Sequence, residues 1–351
     1  MSSGHRPTHA ISIAMGTYNG APYLAEQLES LLNQQLAPFE LVVGDDSSTD
    51  DTLAILNEFS TRAPFPVHVT SNSKQLGYGE NFLQAASRCT GDWVAFCDQD
   101  DFWLRSKLTR CAEAIASGPA DLGLVVHSAI LGDRDLAQIG RLDTPAAGLY
   151  PRLTLPPDWV CQGFRQVIRR SLLNDFPFDD RSMAWHAYPD AHDAWACLIA
   201  SVTGPVLVLD DPLVIYRRHG GNATEGDGLA PVSLAERARA TVRDNSKHYA
   251  EISVMYRTIA DYLEDRANGR LAPERRDQLR SASTRIADYA DRLAARARVN
   301  HKTPLARRVG AFASIARSGA YLPGATWGFG MSGAIKDLVR VVFPGVGASK
   351  E

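Results

Sequence analysis

Over the first hundred residues, short apolar runs alternate with segments of helical period, and nearly every run ends in a cluster of polar residues. Ile11 to Met15 reads as a buried strand, and Tyr23 to Gln34 places Leu24, Leu28, Leu31 and Leu32 on one helical face. Leu41 to Gly44, Val67 to Thr70 and Trp93 to Cys97 read as further strands. Thr52 to Phe59 and Asn81 to Ser87 read as the helices between them. Strand, helix, strand, helix feeds a parallel sheet covered on both faces. Ligands of such sheets sit beyond the carboxyl ends of the strands. The polar clusters at those ends are therefore the first places to look for chemistry.

Further along, Leu122 to Val126 and Val206 to Leu209 are strand-like runs among loops rich in Pro and Asp. From Val232 the pattern becomes helical, with Leu234, Ala238 and Val242, then Tyr249, Ile252, Tyr256 and Ile259, at helical spacing. Asn268, Gly269 and Pro273 mark a turn into a second helix ending near Val299, and Pro304 opens a last segment. The expected organisation is an α/β domain over residues 1–230, a helical hairpin over 231–300 and a basic amphipathic segment over 301–351. The formal charge of −3 conceals that last basic stretch, where seven Lys and Arg stand against Asp337 and Glu351. Five cysteines form no CxxC pair, which argues against a disulfide framework or a zinc site and suits a reducing compartment. The N-terminal residues do not read as a signal peptide. No run approaches the roughly 18 to 20 apolar residues of a membrane span. The expected location is cytoplasmic, so the sequon Asn222-Ala223-Thr224 reads as coincidence.

Two acidic clusters follow strands. In Asp45-Asp46-Ser47-Ser48-Thr49-Asp50-Asp51-Thr52, carboxylates suit the imide N–H of a pyrimidine and ribose hydroxyls, while Asp50 and Asp51 suit capping of the next helix equally well. In Asp98-Gln99-Asp100-Asp101, three carboxylates in four residues repel one another unless a cation or donors compensate. An oxygen-rich site of this kind suits Mg2+ or Mn2+, with diphosphate oxygens completing the shell. A solvated acidic turn is the plainer alternative. His192-Asp193 opens a helix-like segment, where an acid also serves as a cap. In Tyr216-Arg217-Arg218-His219, the arginines suit a diphosphate and His219 a metal or phosphate. Gly77-Tyr78-Gly79 is no dinucleotide loop, because Phe82 occupies the third glycine position.

In order, Ile11 to Gly20, the Asp45 to Thr52 cluster, Gly91 to Asp101 and His192-Asp193 resemble glycosyltransferase family 2, over roughly residues 9 to 222. The resemblance implies the GT-A fold, a Rossmann-like, mostly parallel sheet flanked by helices. It also implies a nucleotide diphosphate sugar, dTDP- or UDP-linked, as donor. Thr17, Tyr18, Asn19, Asp45, Asp46, Asp98, Arg217 and Arg218 would then bind the donor. Asp46 would read the pyrimidine, Asp98, Asp100 and His219 would hold Mg2+ or Mn2+, and Asp193 would be the catalytic base of an inverting displacement. Ser47 departs from the usual glycine of the Asp-Asp-Gly-Ser pattern. Within the family, Asp-Gln-Asp-Asp followed by Phe102-Trp103, with His-Asp and Tyr-Arg-Arg-His further on, resembles bacterial rhamnosyltransferases of surface-polysaccharide assembly such as O-antigen of lipopolysaccharide. That points to L-rhamnose from dTDP-rhamnose as the sugar, and to a glycan or lipid-linked acceptor.

Two other readings compete. A sugar nucleotidyltransferase carries Arg and Lys in the loop after its first strand, and Gly16 to Gly20 has neither. A non-catalytic sugar-nucleotide-binding protein would have no need to keep acids at three sites. Nothing in the sequence suggests nucleic acid as a partner. The tail places Arg307, Arg308, Arg317, Lys336 and Arg340 among Phe312, Tyr321, Leu322, Trp327 and Phe329. That mixture suits the anionic cytoplasmic face of a membrane, and docking on acidic protein surface or on a second copy of the chain as a homodimer equally well.

Overall fold

A computed structural model describes residues 9–142, 144–155, 159–176, 192–220, 246–299 and 303–342. Leu234, Ala238, Val242, Asn222 and the expected boundary at 230/231 lie outside the described residues. The chain forms two compact units: one lies between residues 9 and 220, and the other comprises residues 154–155, 246–299 and 303–342.

In the first unit, β1 (Ile11–Thr17), α1 (Ala21–Leu32), β2 (Glu40–Asp45), α2 (Thr52–Arg62), β3 (Val67–Ser71), α3 (Tyr78–Arg88) and β4 (Trp93–Cys97) follow the expected alternation. The helix α1 starts with Pro22 in its first turn, where the missing N–H costs nothing. It buries Leu24, Leu28 and Leu31 at helical spacing against Ile13, Met15 and Val43 of the strands. Strands β3, β2, β1 and β4 lie side by side in parallel, Thr17 beside Asp45 and Met15 beside Cys97. Their carboxyl ends therefore share one edge.

After β5 (Phe102–Trp103) and α4 (Lys107–Ser117) come β6 (Leu124–Gly132), β7 (Gln138–Leu142), β8 (Gly148–Tyr150), β9 (Gln166–Arg169), α5 (Arg170–Asp175), α6 (His192–Thr203) and β10 (Val206–Arg217). The sheet continues as β4-β9-β6-β10-β5 and is mixed. Strand β9 enters antiparallel between β4 and β6, pairing Trp93 with Arg169 and Leu124 with Ile168. The parallel character thus holds in the first four strands and in the β6–β10 pair, with antiparallel strands between and around them. Strand β10 runs well past Leu209, with register shifts around Pro212, and ends by bringing Arg217 to the edge where β4 ends.

The second unit contains α7 (Ser246–Ala267), α8 (Pro273–Ala297), α9 (Leu305–Arg317) and α10 (Gly330–Val342). Asn268 and Gly269 lie in the turn between α7 and α8, which pack along each other through Tyr256, Ile259, Leu263, Leu279, Ile286 and Leu293. Of the tail's aromatic residues, Tyr321 is buried, while Phe312, Trp327 and Phe329 are half-buried and pack against their neighbours. Phe312 meets Tyr321 at 5.4 Å, and Trp327 meets Tyr289 at 5.8 Å. A buried polar knot joins these elements. Asp337, fully buried, accepts from Arg296 Nε (2.9 Å at its closer oxygen) and from the Tyr321 hydroxyl (2.8 Å), with Arg340 at 3.5 Å.

Removing the anion from that knot would leave the buried Arg296 cation uncompensated, a loss of about 3–5 kcal/mol where a buried pair is broken. Asp337→Ala should therefore lower the denaturant midpoint of the unfolding phase that reports this unit. An unchanged midpoint would show the knot to be energetically neutral.

Candidate active site

Three loops leave the carboxyl edge of the sheet and are laced together by side chains. After β1, Tyr18 is clamped by Gln99: its N–H donates to Gln99 Oε1 (2.8 Å) and its carbonyl accepts from Gln99 Nε2 (3.0 Å). Gln99 passes so close to Gly20 that a Cβ there would lie 2.2 Å from Oε1, so the neighbouring loop requires glycine. Asn19, in the left-handed region at φ 46°, donates its N–H to Ser48 Oγ and accepts from the Thr49 N–H with its side chain (2.9 Å each). Asp50 accepts from the Thr52 N–H and hydroxyl at the start of α2 and from the Ala21 N–H at the start of α1. Burial works against its charge, yet these bonds hold its carboxyl below the usual range.

The two acids after β2 differ in what they have left to offer. Asp45 is fully buried and accepts from the Thr17 hydroxyl (3.0 Å), the Ser48 N–H (3.1 Å) and hydroxyl (2.5 Å), and the Ser71 hydroxyl (3.2 Å). A carboxylate has about four acceptor sites. All of Asp45's serve the loops, and it does not line the cleft, contrary to its expected role toward the nucleotide. Asp46 accepts from Asn72 Nδ2 (3.0 Å), Leu76 N–H (2.7 Å) and Gly77 N–H (2.9 Å), and it does line the cleft. One acceptor position on Oδ2 is left to a ligand.

After β4 the charges crowd. Burial, then Asp100 and Asp193, push the Asp98 carboxyl up to about 8, against the pull of Lys107. Asp101 is fully buried; burial, then Asp98 and Asp100, raise it well above the carboxylate range. Its Oδ1 accepts the Arg217 N–H (3.1 Å), and its buried Oδ2 has no hydrogen-bond partner among the described residues. Lys107 is buried beneath this turn, its Nζ 3.4 Å from the Trp103 ring centre and donating to the Phe164 carbonyl (2.7 Å). Burial pushes its ammonium down to about 8 despite the nearby acids and thiols.

Asp100 Oδ2 meets His219 Nε2 at 2.9 Å, and the His219 ring stacks on Tyr23 at 4.5 Å. The expected metal trio of Asp98, Asp100 and His219 is not gathered as such. Among the described residues no three His, Cys, Asp or Glu side chains form a group poised on a metal, in keeping with the mutual repulsion of carboxylates. Arg217, expected toward a diphosphate, is only 3% exposed and is spent inside: it donates to the Asp100 carbonyl (2.8 Å), the Arg134 carbonyl (2.6 Å) and Glu26 Oε2 (2.5 Å). Arg218 lies over the Tyr216 ring at 5.9 Å. Neither arginine, nor Asn19 or His219, lines the cleft.

The cleft itself has a volume of about 430 Å3. Gly16, Thr17, Tyr18, Asp46, Gln75, Gly77, Tyr78, Asn81, Phe82, Asp98, Gln99 and Asp100 line it. Gln162, Gly163, Phe164, His192, Asp193 and Tyr216 complete it. Asp193 sits in the first turn of α6, where its Oδ1 accepts the Ala194 N–H (2.7 Å). Burial raises its carboxyl despite backbone donors from Ala194, its own amide and Gly163. Beside it the His192 ring is buried, stacked on Phe82 at 4.2 Å and edge-on to Phe96 at 4.9 Å. Sequence reasoning assigned no role to Gln99, Asn72, Asn81 or Lys107. The signal for Asn72 was the loop after β3, which leaves the same sheet edge as the others; Asn81 follows it in the first turn of α3.

A mixed sheet whose acid-bearing loops converge on one cleft defines an α/β protein with its candidate site at the carboxyl edge of the sheet, and comparison with known proteins gives that site a class. The family model for glycosyl transferase family 2 matches residues 12–176. An uncharacterized glycosyltransferase of Nostoc sp., alr2836, is 27% identical over 72% of this chain and 75% of its own length. The dTDP-rhamnosyl transferase RfbG of Shigella flexneri is 32% identical over 30% of this chain and 38% of its own. Among solved structures, S. aureus TarS 1-349 in complex with UDP matches 82% of this chain and 70% of its own, at 19% identity and a TM-score of 0.51. The fold is thus that of the GT-A glycosyltransferases. The chain is a glycosyltransferase.

The floor of the cleft leaves no room beside His192, since a Cβ on Gly163 would fall 2.3 Å from its Nε2. Gly163→Ala should displace the His192 ring and with it the first turn of α6. Misplacement on the scale of 1 Å costs about 10²-fold in rate. We expect kcat to fall toward that extent while the melting temperature stays near wild type; full activity would show the ring free to move.

Proposed function

We propose that the chain transfers a sugar from a nucleoside diphosphate donor to the hydroxyl of a glycan or lipid-linked acceptor, with inversion at the anomeric carbon. The observation that carries this reading is the convergence of Asp46, Asp98, Asp100 and Asp193 on one cleft. Asp46 takes the imide N–H of a uracil or thymine through its remaining acceptor position, while Thr17 and Tyr18 line the nucleoside. Asp193 accepts the proton of the acceptor hydroxyl as that oxygen bonds to the anomeric carbon. The bond from that carbon to the diphosphate breaks, and the electron pair leaves with the diphosphate. The transition state is oxocarbenium-like and the proton moves late, so a carboxylate suffices as base. Desolvation, which raises the Asp193 carboxyl, also makes it the stronger base.

The donor set suits a hard divalent cation, Mg2+ or Mn2+. Asp100 and His219 meet at 2.9 Å, and Asp98 and Asp100 both line the cleft. Ions of this class bind through one or two carboxylates with substrate phosphates and water. When bound, the cation would offset the charge that builds on the departing diphosphate. Support for a nucleotide-linked donor comes from TarS, solved in complex with UDP and with UDP-GlcNAc. L-rhamnose from the dTDP-linked donor is our choice of sugar, supported by the partial match to RfbG and by the Asp-Gln-Asp-Asp-Phe-Trp run. We place the reaction in surface-polysaccharide assembly in the cytoplasm.

The test is a panel of dTDP, UDP and GDP sugars scored for release of the nucleoside diphosphate, with and without chelator. Asp193→Asn keeps the hydrogen-bond acceptor at the helix start and removes the base. Transfer should fall by at least about 10² with donor affinity unchanged. Transfer within a few-fold of wild type would return Asp193 to a capping role and make His192 the next candidate. Asp100→Ala should abolish turnover and metal-dependent donor binding without loss of fold. Wild-type turnover in chelator would end the metal assignment.

A further inference from the structure

The second unit carries an apolar surface that its own core does not use. On α10, Met331, Ile335, Leu338, Val339 and Val342 are all exposed, Met331 and Ile335 at 60% each. At 100° per residue these five fall within an arc of about 100° that holds no charged side chain. The opposite stripe of the same helix, Gly333, Asp337 and Val341, is buried. Helix α9 packs against α10 and exposes Leu305 and Val309, one turn apart, and Leu322 in the following loop is 64% exposed. A soluble surface scatters such residues singly, and a contiguous set marks an interaction site.

The charges that α9, α10 and the loop between them expose have one sign, although α8 brings Asp288 and Asp291 beside Ser314 and Ser318 at the far end of α9. Between Thr303 and Val342 the sequence holds Arg307, Arg308, Arg317, Lys336 and Arg340 against a single acid, Asp337, and that acid is fully buried. Arg308 is buried and Arg340 pairs with Asp337, so the charges the segment offers to solvent are those of Arg307, Arg317 and Lys336, all positive. A second copy pressed on the same face would bring its own basic rim against this one, and like charges oppose that arrangement. An anionic bilayer offers both what the apolar arc lacks, a hydrocarbon phase, and what the rim lacks, counter-charge. No described helix is long and apolar enough to cross a membrane, so the contact is one of lying in the interface.

We propose that α9 and α10 form an interfacial membrane-docking surface, with Met331, Ile335, Leu338 and Val342 inserting among the acyl chains and the basic side chains contacting anionic phospholipid headgroups. The contact rests on aliphatic residues, since Tyr321 is buried and Phe312 and Phe329 pack against the unit's core. This inference is independent of the transfer chemistry, because none of these residues belongs to the cleft.

The experiment is co-sedimentation of the full chain with phosphatidylglycerol-rich vesicles and with pure phosphatidylcholine vesicles. Light scattering of the free protein runs alongside. The wild type should bind the anionic vesicles at least about tenfold more tightly than the neutral ones, and less tightly as salt is raised. Ile335→Ser with Leu338→Ser should weaken that binding by at least about tenfold. Its melting curve and donor hydrolysis should match wild type; if that pair does not fold, Met331→Ser with Val342→Ser replaces it. Binding equal in wild type and variant overturns the proposal, and so does a wild type that ignores anionic vesicles. A wild-type dimer that the substitutions dissociate, with no vesicle binding, assigns the face to a second copy instead.

Discussion

Negative charge at the end of β4 is the constraint around which the first unit is arranged. Asp98, Asp100 and Asp101 follow a fully buried strand, and Asp193 is near enough to raise Asp98 further. The protein answers from three directions. Lys107 supplies a cation from below, His219 bonds Asp100, and Arg217 ties the Asp100 carbonyl and the Asp101 carboxylate to the end of β10. These answers are incomplete. Asp98 and Asp101 stay well above the carboxylate range, and a buried ammonium pushed down to about 8 stabilises its neighbours less than a solvated one would. What remains is settled by protonation, since a carboxyl held well above its usual range gives up part of its charge.

The same economy explains why neighbouring acids play different parts. Asp45 and Asp46 are adjacent and both buried, yet the four donors around Asp45 come from the ends of β1 and β3 and from the loop after β2, and they occupy it fully. Asp46 is gripped by the backbone of Leu76 and Gly77 and by Asn72, which holds it still without using it up. Satisfying a carboxylate from one side with backbone donors is a way to preorganise it, because its orientation is then set before a ligand arrives. Asp193 follows the same logic with the Ala194 N–H. For it, capping and catalysis are compatible, since one oxygen serves the helix start.

Much of this was legible in the sequence, and the limits have physical causes. Strands β1, β2 and β4 were visible as short continuous apolar runs and α1 through its helical period, and the acids stood out because charge after a buried strand is costly. Strand β9 was not visible: Gln166 to Arg169 is four residues whose pairing with β4 and β6 is decided by tertiary contacts. Arg217 was misread for a related reason. Its sequence neighbours, Arg218 and His219, suggest an exposed basic loop, whereas the long run of β10 beside β6 carries it inward to Glu26 and Asp100. Asp45 was misread because a carboxylate's spare capacity depends on donors from Thr17 and Ser71, far away in the chain.

The tail shows the same limit with the opposite outcome. In a segment mixing aromatic, aliphatic and basic residues, composition favours the aromatics as surface anchors. Yet Tyr321, Phe312 and Phe329 lie among Ala295, Val299, Ala311 and Ile315, and Tyr321 also satisfies Asp337 through its hydroxyl. A short helical unit has little aliphatic volume with which to build a core, so its largest side chains are drawn inside. The aliphatic residues of α10 are left outward on the arc opposite Asp337. With Asp337 fixed by Arg296, α10 cannot rotate to bury that arc without pulling a charge pair apart, so the buried knot is what keeps the apolar face turned out.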